Sequence, residues 1–274
     1  MRQMKRIILL ALLLSSWSSV HASNSWDQWK DLAKLKPDAK QLQEERSKRA
    51  PEDEWNYTIQ RVSKGSGKAV NVDEYAVQID ALPTGMSKNK FFWHVRQNLN
   101  DFLDQDISPF GGLSTSDKGD WDSQMNALVG TLMKFEIKLA LGGVAHDTGV
   151  VVVSRSENHT WTFSPVEGSF VGSIGTHPVA GNRQFGLRTK NGKLEFFTRA
   201  FDRVFPRHVS LAEQKAFEGA DKLWKSLQEN LVDYINNNGG SATALTPNVP
   251  GGNNPNGKPQ YKDVCKDASL GLGC

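Results

Sequence analysis

The stretch at 184–199, Gln-Phe-Gly-Leu-Arg-Thr-Lys-Asn-Gly-Lys-Leu-Glu-Phe-Phe-Thr-Arg, constrains the fold more than any other part of the chain. Two alternating runs flank Asn191-Gly192, a pair suited to a two-residue type I′ turn, in which both central residues need positive φ. That turn fixes a register with Leu187 opposite Phe196 and Arg188 opposite Glu195. The apolar pair and the charged pair then fall on opposite faces, as a sheet with one face on a core requires.

Further strands are expected at 57–62, 75–81, 133–139, 149–153 and 160–163, where apolar and polar residues alternate or β-branched residues run together. Phe92, Val95, Leu99, Phe102 and Leu103 recur at three and four, which predicts an amphipathic helix over 89–104. Residues 105–124, rich in Gly, Ser and Asp, read as a loop. Ser210 and Glu213 have the spacing of a capping box. After them Phe217, Ala220, Leu223, Trp224, Leu227, Leu231 and Ile235 form one apolar stripe that stops before Gly239. Such a helix is about 39 Å long, enough to lie across a sheet. The fold class is therefore α+β: an antiparallel sheet packed against a long C-terminal helix.

The ends of the chain carry different signals. Arg2, Lys5 and Arg6 precede an apolar run from Ile7, and Val20-His21-Ala22 supplies small residues for a cut, so residues 1–22 read as a signal peptide and the product as secreted or periplasmic. The apolar run reaches only about 14 residues where a membrane-spanning helix needs about 20, so no transmembrane anchor is expected in the mature chain. Removing those three cations takes the balance from 33 Lys+Arg against 30 Asp+Glu to 30 against 30. A chain without net positive charge lacks the footprint of a nucleic-acid binder, and no nucleic acid is expected as a partner. Residues 23–54 read as an exposed helical arm, 55–238 as the α+β domain, and 239–274 as a flexible tail. The two cysteines, Cys265 and Cys274, both lie in that tail, where an oxidising compartment would pair them with each other or with another chain.

The order of elements resembles the helix-grip fold of the START/Bet v 1-like superfamily, carried by the strands of 133–204, the helix of 210–236 and the segments 175–181 and 199–204. The resemblance covers about residues 55–238. It implies a sheet wrapped round the terminal helix with an apolar cavity between them. The usual helix pair is here read as one helix and a loop, and the strand at 57–62 is extra.

Among residues that could carry chemistry, His177 and Arg183 stand in the stretch 175–183, read as a loop, with Gly175 and Gly181 on either side of His177. An imidazole there could act as a base and a guanidinium could hold an anion; turn chemistry and a surface ion pair account for the same residues. Arg199 and Arg203 share a strand face and Asp202 takes the other. No cofactor and no metal site is expected, since no two histidines share a helix face and no Cys lies near a His. Phosphate-loop and nucleophile-elbow patterns are absent. The leading expectation is an exported, non-enzymatic protein that binds a hydrophobic or amphiphilic small molecule. Trp161, Phe185, Phe196, Phe217 and Trp224 would hold its body, with His177 or Arg183 at a polar end. A hydrolase or effector enzyme using His177 with Asp202 or Asp147 is the first alternative, and an interaction module working through the arm and the tail is the second.

Overall fold

The computed structural model describes residues 26–273 except 54, 124–126, 139–145, 158, 171–172 and 206–211, with the side chains of 137–138, 146–147, 173–175 and 212 also outside that set. Residues 1–25, including the signal segment, and Cys274 lie outside the described residues.

The central hairpin forms as its sequence dictates. Strand β8 (Val179–Lys190) pairs with β9 (Lys193–Val204), setting Leu187 against Phe196 and Arg188 against Glu195. Asn191 and Gly192 take φ of 51° and 76°. Around it lie β1 (Tyr57–Ile59), β2 (Asn71–Ala81), β3 (Phe110–Gly112), β4 (Leu132–Lys138), β5 (His146–Glu157), β6 (Thr160–Phe170), β7 (Ser173–Thr176) and β10 (Ser241–Ala244). The described strands form one antiparallel sheet in the order β10-β2-β9-β8-β6-β5-β4-β3, with β1 and β7 also paired to β6. The α+β expectation holds: α6 (Ala212–Asn237) lays Leu223, Trp224, Leu227, Leu231 and Ile235 against Tyr75, Val77, Phe185 and Phe196 on one face of the sheet.

Three local expectations change. The helix at 89–104 is two helices, α3 (Lys88–Gln97) and α4 (Leu99–Phe102), because Asn98 leaves helical geometry and donates its side-chain amide to the His94 carbonyl at 2.8 Å. The helix pair missing from the sequence reading is thus present. The loop at 105–124 contains β3 and α5 (Thr115–Asp122), whose start is secured by a capping box between Ser114 and Asp117. Ser210 lies outside the described residues. Glu213 of α6 is bonded away from its own helix, its carboxylate accepting the Ala69 amide at 2.9 Å.

The larger correction concerns the arm and the tail, which cover the opposite face of the sheet. A 3-10 turn at Asp27–Trp29 leads into α1 (Lys30–Lys34), followed by α2 (Ala39–Ser47). Trp26, Trp29 and Leu32 are buried with Val70, Val72 and Phe201 of the sheet region and with Val264 and Leu270 of the tail. Trp29 donates its indole N–H to the Asp73 carbonyl at 2.9 Å. Leu42 of α2 packs on Leu132, Val150 and Val152. The segment 23–54 is therefore not an exposed arm over its described length, because its aromatic and leucine side chains complete the second face of the sheet. The tail is equally engaged: β10 pairs with β2, and α7 (Tyr261–Val264) follows a run hydrogen-bonded to residues 68–70. Burial on both faces explains why β2 is enclosed along almost all its length rather than at alternate positions. Among the described residues, no helix is long and apolar enough to cross a membrane.

Candidate functional site

Packing between the sheet and α6 is interrupted by a cavity of about 130 Å³. Its sheet wall is Phe135, Val151, Phe163 and Phe185, one residue each from β4, β5, β6 and β8. Its helix wall is the first half of α6, where Ala216, Gly219 and Ala220 sit among Phe217, Leu223 and Trp224. Spacing of three and four puts the three small residues on one side of the helix. Beyond Leu223 the same helix carries Leu227, Leu231 and Ile235, which fill the space against the sheet. The cavity exists where the stripe runs out of bulk.

One end of the cavity is polar. Two rows of residues cross β8, β9 and β2 on the face toward α6. The first row is Gly181, Asp202 and Asn71; the second is Arg183, Ala200 and Asp73. In the second row Ala200 is small enough for Arg183 to reach over it. Its Nη2 lies 2.9 and 2.8 Å from the two Asp73 oxygens, and its guanidinium stacks on Trp224 at 4.3 Å. Arg183 is thus neutralised and forms a wall, not a free anion receptor. In the first row, Gly181 has φ of 144°, and a Cβ there would stand 2.9 Å from the Asp202 Cβ, so the absent side chain gives Asp202 its room. Asp202 is only 7% exposed, lines the cavity, and accepts from Asn71 Nδ2 at 3.5 Å. Burial, reinforced by the nearby Asp73 charge and opposed by Arg183, Asn71 and Lys258, pushes its carboxyl up to about 7.

His177 also lines the cavity, and its position is fixed from its backbone. The Gln60 side chain accepts its N–H at 2.8 Å and donates to its carbonyl at 2.9 Å. The His177 ring lies against Gly149, where any side chain would collide with it. Its Nδ1 accepts the Val179 amide at 3.2 Å, leaving Nε2 to carry the ring proton in the neutral form. Among the described residues Asp202 is bonded to Asn71 and not to His177, so these two do not form an oriented base pair, and of the two aspartates in the hydrolase alternative only Asp202 is tested.

Of the other residues singled out from sequence, Phe185, Phe217 and Trp224 line the cavity with Arg183. Trp161 and Phe196 do not. Trp161 is fully buried behind Phe185, stacked on it at 5.0 Å, and Phe196 lies 6.3 Å from Trp161 in the solid core. Arg199 and Arg203 share the far face of the sheet, as expected, and both have internal partners. Arg199 is paired with Asp31 and Gln184, while Arg203 donates to the Val62 and Gly67 carbonyls. Asp147 lies on β5 with its side chain outside the described set. Cys265 is buried, and its expected partner Cys274 lies outside the described residues. Among the described residues, no group of three His, Cys, Asp or Glu could hold a metal. Sequence reasoning missed Asn71, Asp73, Phe135 and Val151, which come together only once the sheet order is known.

No family model matches the chain, and no curated protein matches it. Among solved structures 18 chains match. One of them, titled "Crystal structure of Ara h 8.0201", is 11% identical with a TM-score of 0.35, covering 62% of this chain and 99% of its own. Ara h 8 is a Bet v 1 homologue.

Proposed function

We propose that this chain is an exported carrier that holds a small, mainly apolar molecule between its sheet and α6, in the manner of a helix-grip protein. The observation that supports it is the gap under α6, where Ala216, Gly219 and Ala220 face Phe163 and Phe185 across about 130 Å³. An apolar cavity of about 150 Å³ admits benzene, so the space suits one aromatic ring or a short alkyl group rather than a long-chain lipid. The element order supports the helix-grip reading as well. Strand β2 precedes the helix pair α3 and α4, strands β3 to β9 follow, and the long helix comes after β9, which lies beside β2.

Titration of the full mature chain with toluene, followed by calorimetry and by the NMR signals of Trp224, tests the proposal. Saturable binding that perturbs Trp224 is expected. Absence of binding, together with no ligand mass released on denaturing protein purified from its native host, overturns it. Export is tested separately by N-terminal sequencing of the protein from the native host, which should begin at Ser23 and would show Met1 or another start if the signal reading is wrong.

A further inference from the structure

Lys258 is a buried amine without a hydrogen-bond acceptor. It is 3% exposed, and among the described residues its Nζ has no hydrogen-bond partner. The tail does not leave it free to swing out. Val70 donates to the Pro259 carbonyl at 2.8 Å, Tyr261 donates to the Lys68 carbonyl at 2.9 Å, and Ala69 bridges to Gln260. This strap carries Nζ to 4.9 Å from the centre of the Phe217 ring, and Phe217 is a wall of the cavity. Burial pulls the ammonium below its ordinary value, while the charges of Asp73, Asp202 and Asp221 pull it back up.

Each nearby carboxylate is already committed or turned elsewhere. Asp73 is taken by Arg183 and Asn71. Asp221 is taken by Tyr75, Lys225 and Asn253. Asp202, at the polar end of the cavity, makes no hydrogen bond to Lys258. A buried donor left unpaired is costly. Lys258 does not itself line the cavity; Phe217, which does, is the residue through which the two adjoin, and a ligand there is the source of an acceptor oxygen for Nζ. Resting on the carrier reading, we propose that the ligand is a small aromatic monocarboxylate, its ring against the wall of Phe163, Phe185 and Trp224 and its carboxylate received by Lys258 beside Asp202.

The site then discriminates by the ligand's charged end. Toluene reports the apolar cavity alone, benzoate adds the acceptor, and benzylamine adds a second cation beside Lys258. Calorimetric titration of the full mature chain should give benzoate binding about tenfold or more tighter than toluene, with benzylamine weakest. In Lys258→Met the benzoate advantage should vanish while toluene affinity is kept. Equal affinities for benzoate and toluene in the wild-type chain overturn the inference without any variant, as does a preference for benzylamine, which would make Asp202 the anchor. Persistence of the benzoate preference in Lys258→Met or Lys258→Gln also overturns it. Failure of toluene to bind is a different result and strikes the carrier reading itself.

Discussion

Arg183 and Asp73, two strands apart, form a two-oxygen ion pair over the small side chain of Ala200, at 2.9 and 2.8 Å. Asp73 is 2% exposed at its side chain and Arg183 12%, so neither charge can fall back on water. Removing one partner leaves the other buried and uncompensated. Asp73→Ala should therefore lower stability by about 3–5 kcal/mol, measured by urea denaturation. The double variant Asp73→Leu, Arg183→Met should recover much of that loss. A cost below about 1 kcal/mol for the single change, the usual value of a solvated pair, would show that the pair is open to solvent.

Asp202 makes stability depend on pH in an unusual direction for a carboxylate. Its folded value of about 7 lies above the ordinary 3.8. Below about pH 4 the proton is held in both states. Between there and about 7 the folded chain alone holds it, so the folded state binds more protons and stability falls as pH rises through that window. The groups facing Asp202 are Asn71, Asp73, Arg183 and Lys258. Asp202→Asn removes the penalty. Its melting temperature relative to wild type should rise from pH 4.5 to pH 8 in scanning calorimetry, and a flat difference across that range would count against the assignment.

The gap in α6 can be closed from the helix side. Ala220→Leu adds three carbons to the wall of a cavity of about 130 Å³. Toluene binding should be lost while the melting temperature stays level or rises, since filling an apolar void restores contacts. A variant that keeps full toluene affinity would place the ligand elsewhere.

The N-terminal segment behaves as core. Trp29 is fully buried and bonded to the Asp73 carbonyl, directly behind the ion pair. Trp29→Ala should cost about 3–5 kcal/mol, read from the urea midpoint. A free arm would give a change within about 0.5 kcal/mol.

What could be read from sequence was whatever depends on neighbours in the chain. The Asn191-Gly192 turn carries its own register, and the α6 stripe repeats often enough to reveal a helix and its buried side. The role of Trp26, Trp29 and Leu32 was hidden because their partners Val70, Val72 and Phe201 are some 40 to 170 residues away. Helix α5 was hidden for another reason. Its residues Thr115–Asp122 are mostly polar, and the one local clue, Ser114 three residues before Asp117, lay in a stretch otherwise rich in turn formers. The cavity had a local sign that went unread, the run of Ala216, Gly219 and Ala220 where the stripe elsewhere carries Leu and Trp. Its polar end had none, since Gly181, Asp202 and Asn71 meet only through the pairing of β8, β9 and β2.

The tail's pairing with β2 also governs how the molecule meets its own copies. Strand β2 is 11 residues long, and β10, the Leu245 amide, the Asn248 bridge and the Pro259 carbonyl satisfy its outer side or the residue just before it. Among the described residues the main strand order ends in β10, four residues long, and β3, three residues long, both too short to template another chain. Proteolytic loss of residues 241–274 would bare the flank of β2, and the clipped protein would have a ready-made seam for sheet-to-sheet self-association.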